Sequence, residues 1–143
     1  MEHQEPLFKI LRDHKLRLTK TRKAIVNVLS ANRMPLPVSE LLRAMEKIGV
    51  KVNKTTVYRE LERLQKLSVI SSVQLGDRKQ FYELAHREHH HHLVCVKCET
   101  VKDVGVDEKK LLFQEHKLSG EKKFMVLRHS LEFFGLCAKC QSA

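Results

Sequence analysis

The sequence predicts an α+β fold in two parts: an N-terminal winged helix-turn-helix and a smaller C-terminal α/β module tied together by metal. Three observations carry this prediction. The first is charge. Residues 1–84 hold 17 Lys/Arg against 9 Asp/Glu, whereas residues 85–143 hold 10 against 8, so the net charge of +10 belongs mainly to the first part. The second is order, since helical periodicity gives way to a hairpin near residue 84. The third is that all four cysteines and most of the histidines fall after residue 84. The 143 residues are enough for two small domains, and we divide them at 1–84 and 85–143. A basic part beside a thiol- and imidazole-rich part points to one module for a polyanion and one for metal.

Along the first part, Leu7, Phe8, Ile10 and Leu11 have helical spacing, and His14-Lys15 begins the exit. Thr19 is a candidate N-cap for a helix whose apolar stripe is Ile25, Val26, Val28 and Leu29. Met34-Pro35-Leu36-Pro37 breaks the chain. Ser39 is the expected cap of the next helix, with Leu41, Leu42 and Met45 inward and Gly49 as its stop. Asn53 then precedes KTTVYRELERLQKL, in which Val57, Leu61, Leu64 and Leu67 share one face. Residues 71–74 and 80–84 read as a hairpin around Gly76-Asp77.

After the leading helix, three short helices and a hairpin are the winged helix-turn-helix order. Its last helix enters the major groove with its N-terminal residues foremost. Those residues are Asn53, Lys54, Thr55, Thr56, Tyr58 and Arg59, a set of small polar groups, one phenol and two cations. Such groups suit phosphate and base-edge contacts. Arg17, Lys20, Arg22 and Lys23 add charge near the second helix, and Arg78-Lys79 add it at the hairpin tip.

In the second part, residues 92–98 and 100–104 suggest a hairpin with Cys95 and Cys98 near its turn. Residues 107–118 suggest an amphipathic helix followed by Gly120, and FMVLRHSLEFFGLC suggests at least one strand. Two Cys-x-x-Cys pairs, Cys95/Cys98 and Cys137/Cys140, can supply four thiolates to a closed tetrahedral zinc site. A site without an open position is structural. A thioredoxin-like reading needs one such pair in a βαβ setting, which is absent.

The run His89-His90-His91-His92 stands three residues before the first pair. In an extended chain alternate side chains face opposite ways. His90 and His92 then share one face, and His89 and His91 the other, so one run can feed two metal sites. Glu83 or Asp103 can complete a mixed imidazole–carboxylate site with His90 and His92, and Glu108 and His129 are candidates for the other face. Such ligands suit Zn²⁺, Fe²⁺ or Mn²⁺ and do not choose among them.

Other classes are disfavoured. The composition, 42% hydrophobic and 31% charged, fits a globular protein. There is no apolar run long enough for a membrane helix. The opening MEHQEPLFKI is unlike a secretory signal, so a cytoplasmic, thiol-reducing setting is expected. A zinc deaminase would carry His-x-Glu and Pro-Cys-x-x-Cys, but Val94 precedes Cys95. A metal-binding module without regulated DNA binding is the remaining alternative, disfavoured by the recognition-helix residues and the charge asymmetry.

Together LTKTR at 18–22, TTVYRELERL at 55–64, FYEL at 81–84, HHHHLVCVKC at 89–98 and RHSLEFFGLCAKC at 128–140 resemble the ferric uptake regulator superfamily of bacterial metal-responsive transcriptional repressors. The resemblance runs nearly the full length. It implies a winged-helix DNA-binding domain, a hinge and an α/β dimerisation domain. It also implies a homodimer that binds an AT-rich palindromic operator in double-stranded DNA when loaded with metal. By position, Arg17 resembles a minor-groove residue, Tyr58 and Arg59 the recognition pair, and Thr55 and Thr56 their neighbours. Cys95, Cys98, Cys137 and Cys140 resemble the structural zinc ligands. Glu83, His90, His92 and Asp103 resemble the regulatory site. His89, His91 and His129 resemble an additional site, with Glu108 as its acidic ligand and Glu115 as a competing choice. The stretch NRMPLPVSE departs from iron- and peroxide-sensing relatives by lacking a His. Asp103 looks like the peroxide-sensing branch, whereas HHHHLVC and GLCAKC look like the zinc-sensing one. The expected function is control of zinc or iron homeostasis by a repressor with structural Zn²⁺ and a second divalent metal (Zn²⁺ or Fe²⁺, with Mn²⁺ also admissible). A peroxide-sensing repressor is the alternative.

Overall fold

The computed structural model describes residues 5–75, 79–85, 90–127 and 129–142. The chain forms two compact units, Met1–Arg87 and Glu88–Ala143.

The first unit contains α1 (Glu5–Asp13), α2 (Lys20–Ala31), β1 (Leu36–Pro37), α3 (Val38–Lys47), α4 (Lys54–Lys66), β2 (Ile70–Gln74) and β3 (Gln80–Leu84). The apolar stripes anticipated from sequence meet in one core: Leu7 and Leu11 from α1, Ile25, Val26 and Leu29 from α2, Leu41 and Met45 from α3, and Val57, Leu61 and Leu64 from α4. Burial of these side chains is the main term holding the helices together. The sheet has the order β1-β3-β2. In the antiparallel β2–β3 wing, Ser72 pairs with Tyr82 and Ser71 with Glu83. Tyr82 joins the helical core, so strand alternation sends Phe81 and Glu83 to the other face.

The helix ends show which local signals act. The Thr19 side chain accepts the Arg22 N–H at 3.2 Å, and Asn53 Oδ1 accepts the Thr56 N–H at 2.8 Å. Both are side-chain caps of otherwise orphan amides. Gly49 has φ +78° just after α3, the left-handed conformation that glycine takes at no steric cost. Ser39 is a correction. α3 begins at Val38 with Pro37 as its N-cap residue and no side-chain cap. Leu36-Pro37 is engaged as β1 against Tyr82 and Phe81 of β3, so the helix starts directly off that strand and Ser39 falls inside its first turn. The wing tip at Gly76–Arg78 lies outside the described residues.

The second unit contains β4 (His91–Cys95), β5 (Val101–Val104), α5 (Glu108–Lys122), β6 (Glu132–Gly135) and α6 (Ala138–Gln141). Its sheet order is β5-β4-β6, with β5 antiparallel and β6 parallel to the central β4. The helix expected over 107–118 runs four residues further. Gly120 lies inside it, and the left-handed residue that ends it is Lys123 at φ 49°. One glycine in a helix costs only about 1 kcal/mol, too little to stop α5.

Candidate metal centres and nucleic-acid face

On α4, Val57, Glu60, Leu61 and Leu64 are buried, while Lys54, Thr55, Tyr58 and Arg59 are exposed and Thr56 is half-buried. The helix therefore turns Lys54, Thr55, Tyr58 and Arg59 of its first two turns to solvent. Lys54 Nζ stands 5.8 Å from the Tyr58 ring centroid, within cation–π range. Arg17 is exposed in the segment between α1 and α2.

The second unit gathers the four cysteines. Cys95 ends β4, Cys98 lies in the turn after it, and Cys137 and Cys140 follow β6. Because β6 runs parallel to β4 with Gly135 opposite Cys95, the second pair is delivered to the same sheet end as the first. Their sulfurs all lie within 4.8 Å of one another, and Cys98 Sγ is 3.7 Å from Cys137 Sγ. Thiolates about 2.3 Å from one zinc ion lie about 3.8 Å apart in a tetrahedron, so the cluster fits a single ion. The Cys137 N–H donates to Cys95 Sγ at 3.4 Å. That bond, then the Cys98 N–H, draws the Cys95 thiol down to about 6. The Thr100 hydroxyl, 3.1 Å from Cys98 Sγ, leads the groups that lower Cys98. Cys140 is pushed up to about 12, first by its hydrogen bond with Cys137. Sulfurs this close do not all carry negative charge without a cation among them.

On β4 the neighbouring side chains of His91 and His92 point to opposite faces. His92 lies opposite Asp103 in the β4–β5 register, with Nε2 3.9 Å from Asp103 Oδ1, and the His90 and His92 rings meet edge to face at 4.9 Å. His91 turns to the other side. Its Nδ1 is 3.2 Å from the Leu131 carbonyl and its Nε2 is 3.1 Å from Glu108 Oε1. The carbonyl only accepts, so Nδ1 carries a hydrogen and Nε2 faces the carboxylate. A proton or a metal ion between them satisfies both. Ligands about 2.1 Å from a shared ion lie about 3.0–3.4 Å apart in octahedral to tetrahedral geometry, which the 3.1 Å separation matches. His91, Glu108 and His129 place one ligand atom each within 4.8 Å of one another, and His129 Nδ1 also bonds Glu115. Both acidic candidates of α5 thus reach this face, two turns apart. Glu83 stands on β3 of the first unit, and His89 lies outside the described residues.

Sequence reasoning missed three supporting groups. The Leu131 carbonyl and the Thr100 hydroxyl carry no sequence signal, because their roles depend on strand pairing. Glu60 carries no local signal for burial, yet it is only 8% exposed and receives Arg22 across 38 residues of chain.

The Ferric uptake regulator family matches residues 13–134. The ferric uptake regulation protein of Legionella pneumophila is 32% identical over 133 residues, covering 92% of this chain and 96% of that protein. Among solved structures, the ferric uptake regulator of Helicobacter pylori, described as having three functional metal binding sites, superposes with TM-score 0.80 at 24% identity, covering 97% of this chain and 91% of the other. The Vibrio cholerae regulator gives TM-score 0.74 at 26% identity over 90% of this chain and 98% of the other. The winged unit, the metal-gathering unit and this similarity over nine-tenths or more of the chain lead to one conclusion: the chain belongs to the ferric uptake regulator family.

Proposed function

We propose that this chain is a cytoplasmic, homodimeric, metal-dependent repressor of zinc- or iron-uptake genes, with residues 1–84 as its DNA-binding domain and 85–143 as its metal-binding dimerisation domain. The observation that carries the reading is the pairing of an exposed basic recognition helix in one unit with clustered metal donors in the other. Cys95, Cys98, Cys137 and Cys140 hold structural Zn²⁺. Glu83, His90, His92 and Asp103 form the regulatory site for a second divalent ion, and His91, Glu108 and His129, with His89, form the additional site. The name of the Legionella relative favours iron.

The mechanism is a coupling of ion binding to the placement of two domains. Glu83 belongs to the last strand of the winged unit, His92 to the first strand of the metal unit, and His90 directly precedes that strand. A bound ion supplies the charge that holds the carboxylates and imidazoles together. Their capture favours the arrangement in which Arg17, Lys54, Thr55, Thr56, Tyr58 and Arg59 of both protomers face one palindrome. Dimerisation is supported by large apolar side chains exposed on the second unit, including Phe113 at 70%, Met125 at 79% and Leu127 at 86%. Exposed apolar groups of this size mark an association surface. The chain acts by binding and not by catalysis.

The test is fluorescence anisotropy on AT-rich palindromic duplexes. Protein treated with a mild chelator is titrated separately with Zn²⁺, Mn²⁺ and, without oxygen, Fe²⁺. Restoration of palindrome-selective binding by one ion supports the reading, and the most potent ion names the regulatory metal. Selective binding that is equal with and without added metal refutes the metal dependence. Fe²⁺-restored binding that collapses on peroxide treatment would favour a peroxide sensor.

A further inference from the structure

The buried ion pair between α2 and α4 lies outside every metal cluster, and the mechanism above makes no use of it. Arg22 is 3% exposed and Glu60 is 8% exposed. Arg22 Nε donates to Glu60 Oε2 at 2.8 Å, and a terminal nitrogen reaches the same oxygen at 2.7 Å. The other terminal nitrogen donates to the backbone carbonyl of Arg17. The second Glu60 oxygen accepts Arg63 at 3.1 Å. All of these residues lie in the first unit.

A buried ion pair adds little net stability over an apolar pair of the same volume, because both ions lose their water. What it supplies is direction. A guanidinium is a rigid planar fork, and a fork bound on two sides fixes distance and angle together. One side holds the centre of α4 at the residue that follows Arg59. Successive helix residues are turned by about 100°, so holding Glu60 inward sets which way Tyr58 and Arg59 point. The other side holds the carbonyl of Arg17, whose side chain is exposed.

We infer that Arg22 and Glu60 are positioning residues that fix the spacing between the Arg17 segment and the recognition face of α4, and through it the selectivity for the operator. This rests on the DNA-binding reading above. Neither side chain needs to touch DNA. Their loss therefore weakens the selected sequence while leaving phosphate contacts, and the salt dependence they produce, in place.

The test uses the full chain, loaded with its most potent ion, on the palindrome bound best by the wild type and on a scrambled duplex of equal composition. Variants are Arg22→Lys, Glu60→Gln and the double apolar replacement Arg22→Met/Glu60→Leu, each checked by circular dichroism at the assay temperature. Lysine keeps the charge but not the fork, and the apolar pair keeps packing without direction. The expected result is folded, dimeric protein whose palindrome affinity falls at least about tenfold. Scrambled-duplex affinity stays within about twofold and the salt slope is unchanged. Wild-type selectivity in any folded variant overturns the inference, as does an equal loss on both duplexes. Failure of all three variants to fold overturns it in favour of a purely structural role. If the wild type itself prefers no palindrome, the DNA-binding reading fails and the inference falls with it.

Discussion

Replacing Cys137 with Ser tests how the second unit is held. Among the described residues of that unit, the buried apolar side chains are Val94 and Cys95, and the other buried ones are His91 and His92. The first unit, by contrast, buries apolar residues from all four of its helices. A fully buried valine contributes about 1.5–3 kcal/mol, and ordering each residue costs about 1–2 kcal/mol. Among its described residues, the interior of the second unit is therefore mostly candidate metal ligands. Structural zinc contributes on the order of 10–16 kcal/mol in zinc-finger peptides, comparable to the entire stability of an ordinary domain at about 5–15 kcal/mol. Loss of one ligand should then abolish the fold of residues 88–143 outright and not lower Tm by a few degrees. The assay is zinc content with a chromogenic chelator, sedimentation for dimer mass, and amide exchange resolved by unit. The expected outcome is a zinc-free monomer with unprotected β4–β6 amides and protected α2–α4 amides. A dimer of Cys137→Ser with protected β4–β6 amides would refute the reasoning.

The complementary change is Leu61→Ala. Leu61 is fully buried in the first unit, so its truncation should destabilise that unit by about 2–5 kcal/mol and leave zinc content intact, which exchange and metal assays read together. His90→Ala or His92→Ala should keep the dimer and its structural zinc but lose metal-dependent palindrome binding, and normal repression by either would misplace the regulatory site. Zinc affinity of the four-cysteine cluster should rise with pH. Cys95 sheds its proton near 6 and Cys140 holds its own up to about 12, so zinc entering between these values displaces at least the Cys140 proton. Protons compete with metal, and affinity should climb by about tenfold per pH unit for each proton displaced. A chelator competition between pH 6 and 9 that shows no dependence would contradict this.

Much of the architecture is legible in the sequence because the signals act over a few residues. The leucine and valine spacings mark helices, Thr19 and Asn53 mark where two of them start, and Gly49 marks where one stops. Alternation of the histidine run separates His92, opposite Asp103, from His91, beside Glu108. The misreadings have the same origin. Ser39 has the right chemistry for a cap, but the strand pairing of Leu36-Pro37 starts the helix earlier. The helix expected over 107–118 continues through Gly120 to Lys122, because the small helical penalty of one glycine does not outweigh a continuing helix.

What the sequence by itself determined is the inventory: a basic winged module, two thiol pairs and an imidazole run with two faces. Only the tertiary structure decided which groups meet. The parallel pairing of β6 with β4 brings Cys137 to Cys95, the path of α5 brings both Glu108 and Glu115 to the His91–His129 face, and the α2–α4 packing buries Arg22 against Glu60. The physical reason is range. Caps, turns and periodicity are local energies, whereas a contact across 38 residues depends on how whole elements pack, and no short stretch of chain encodes that alone.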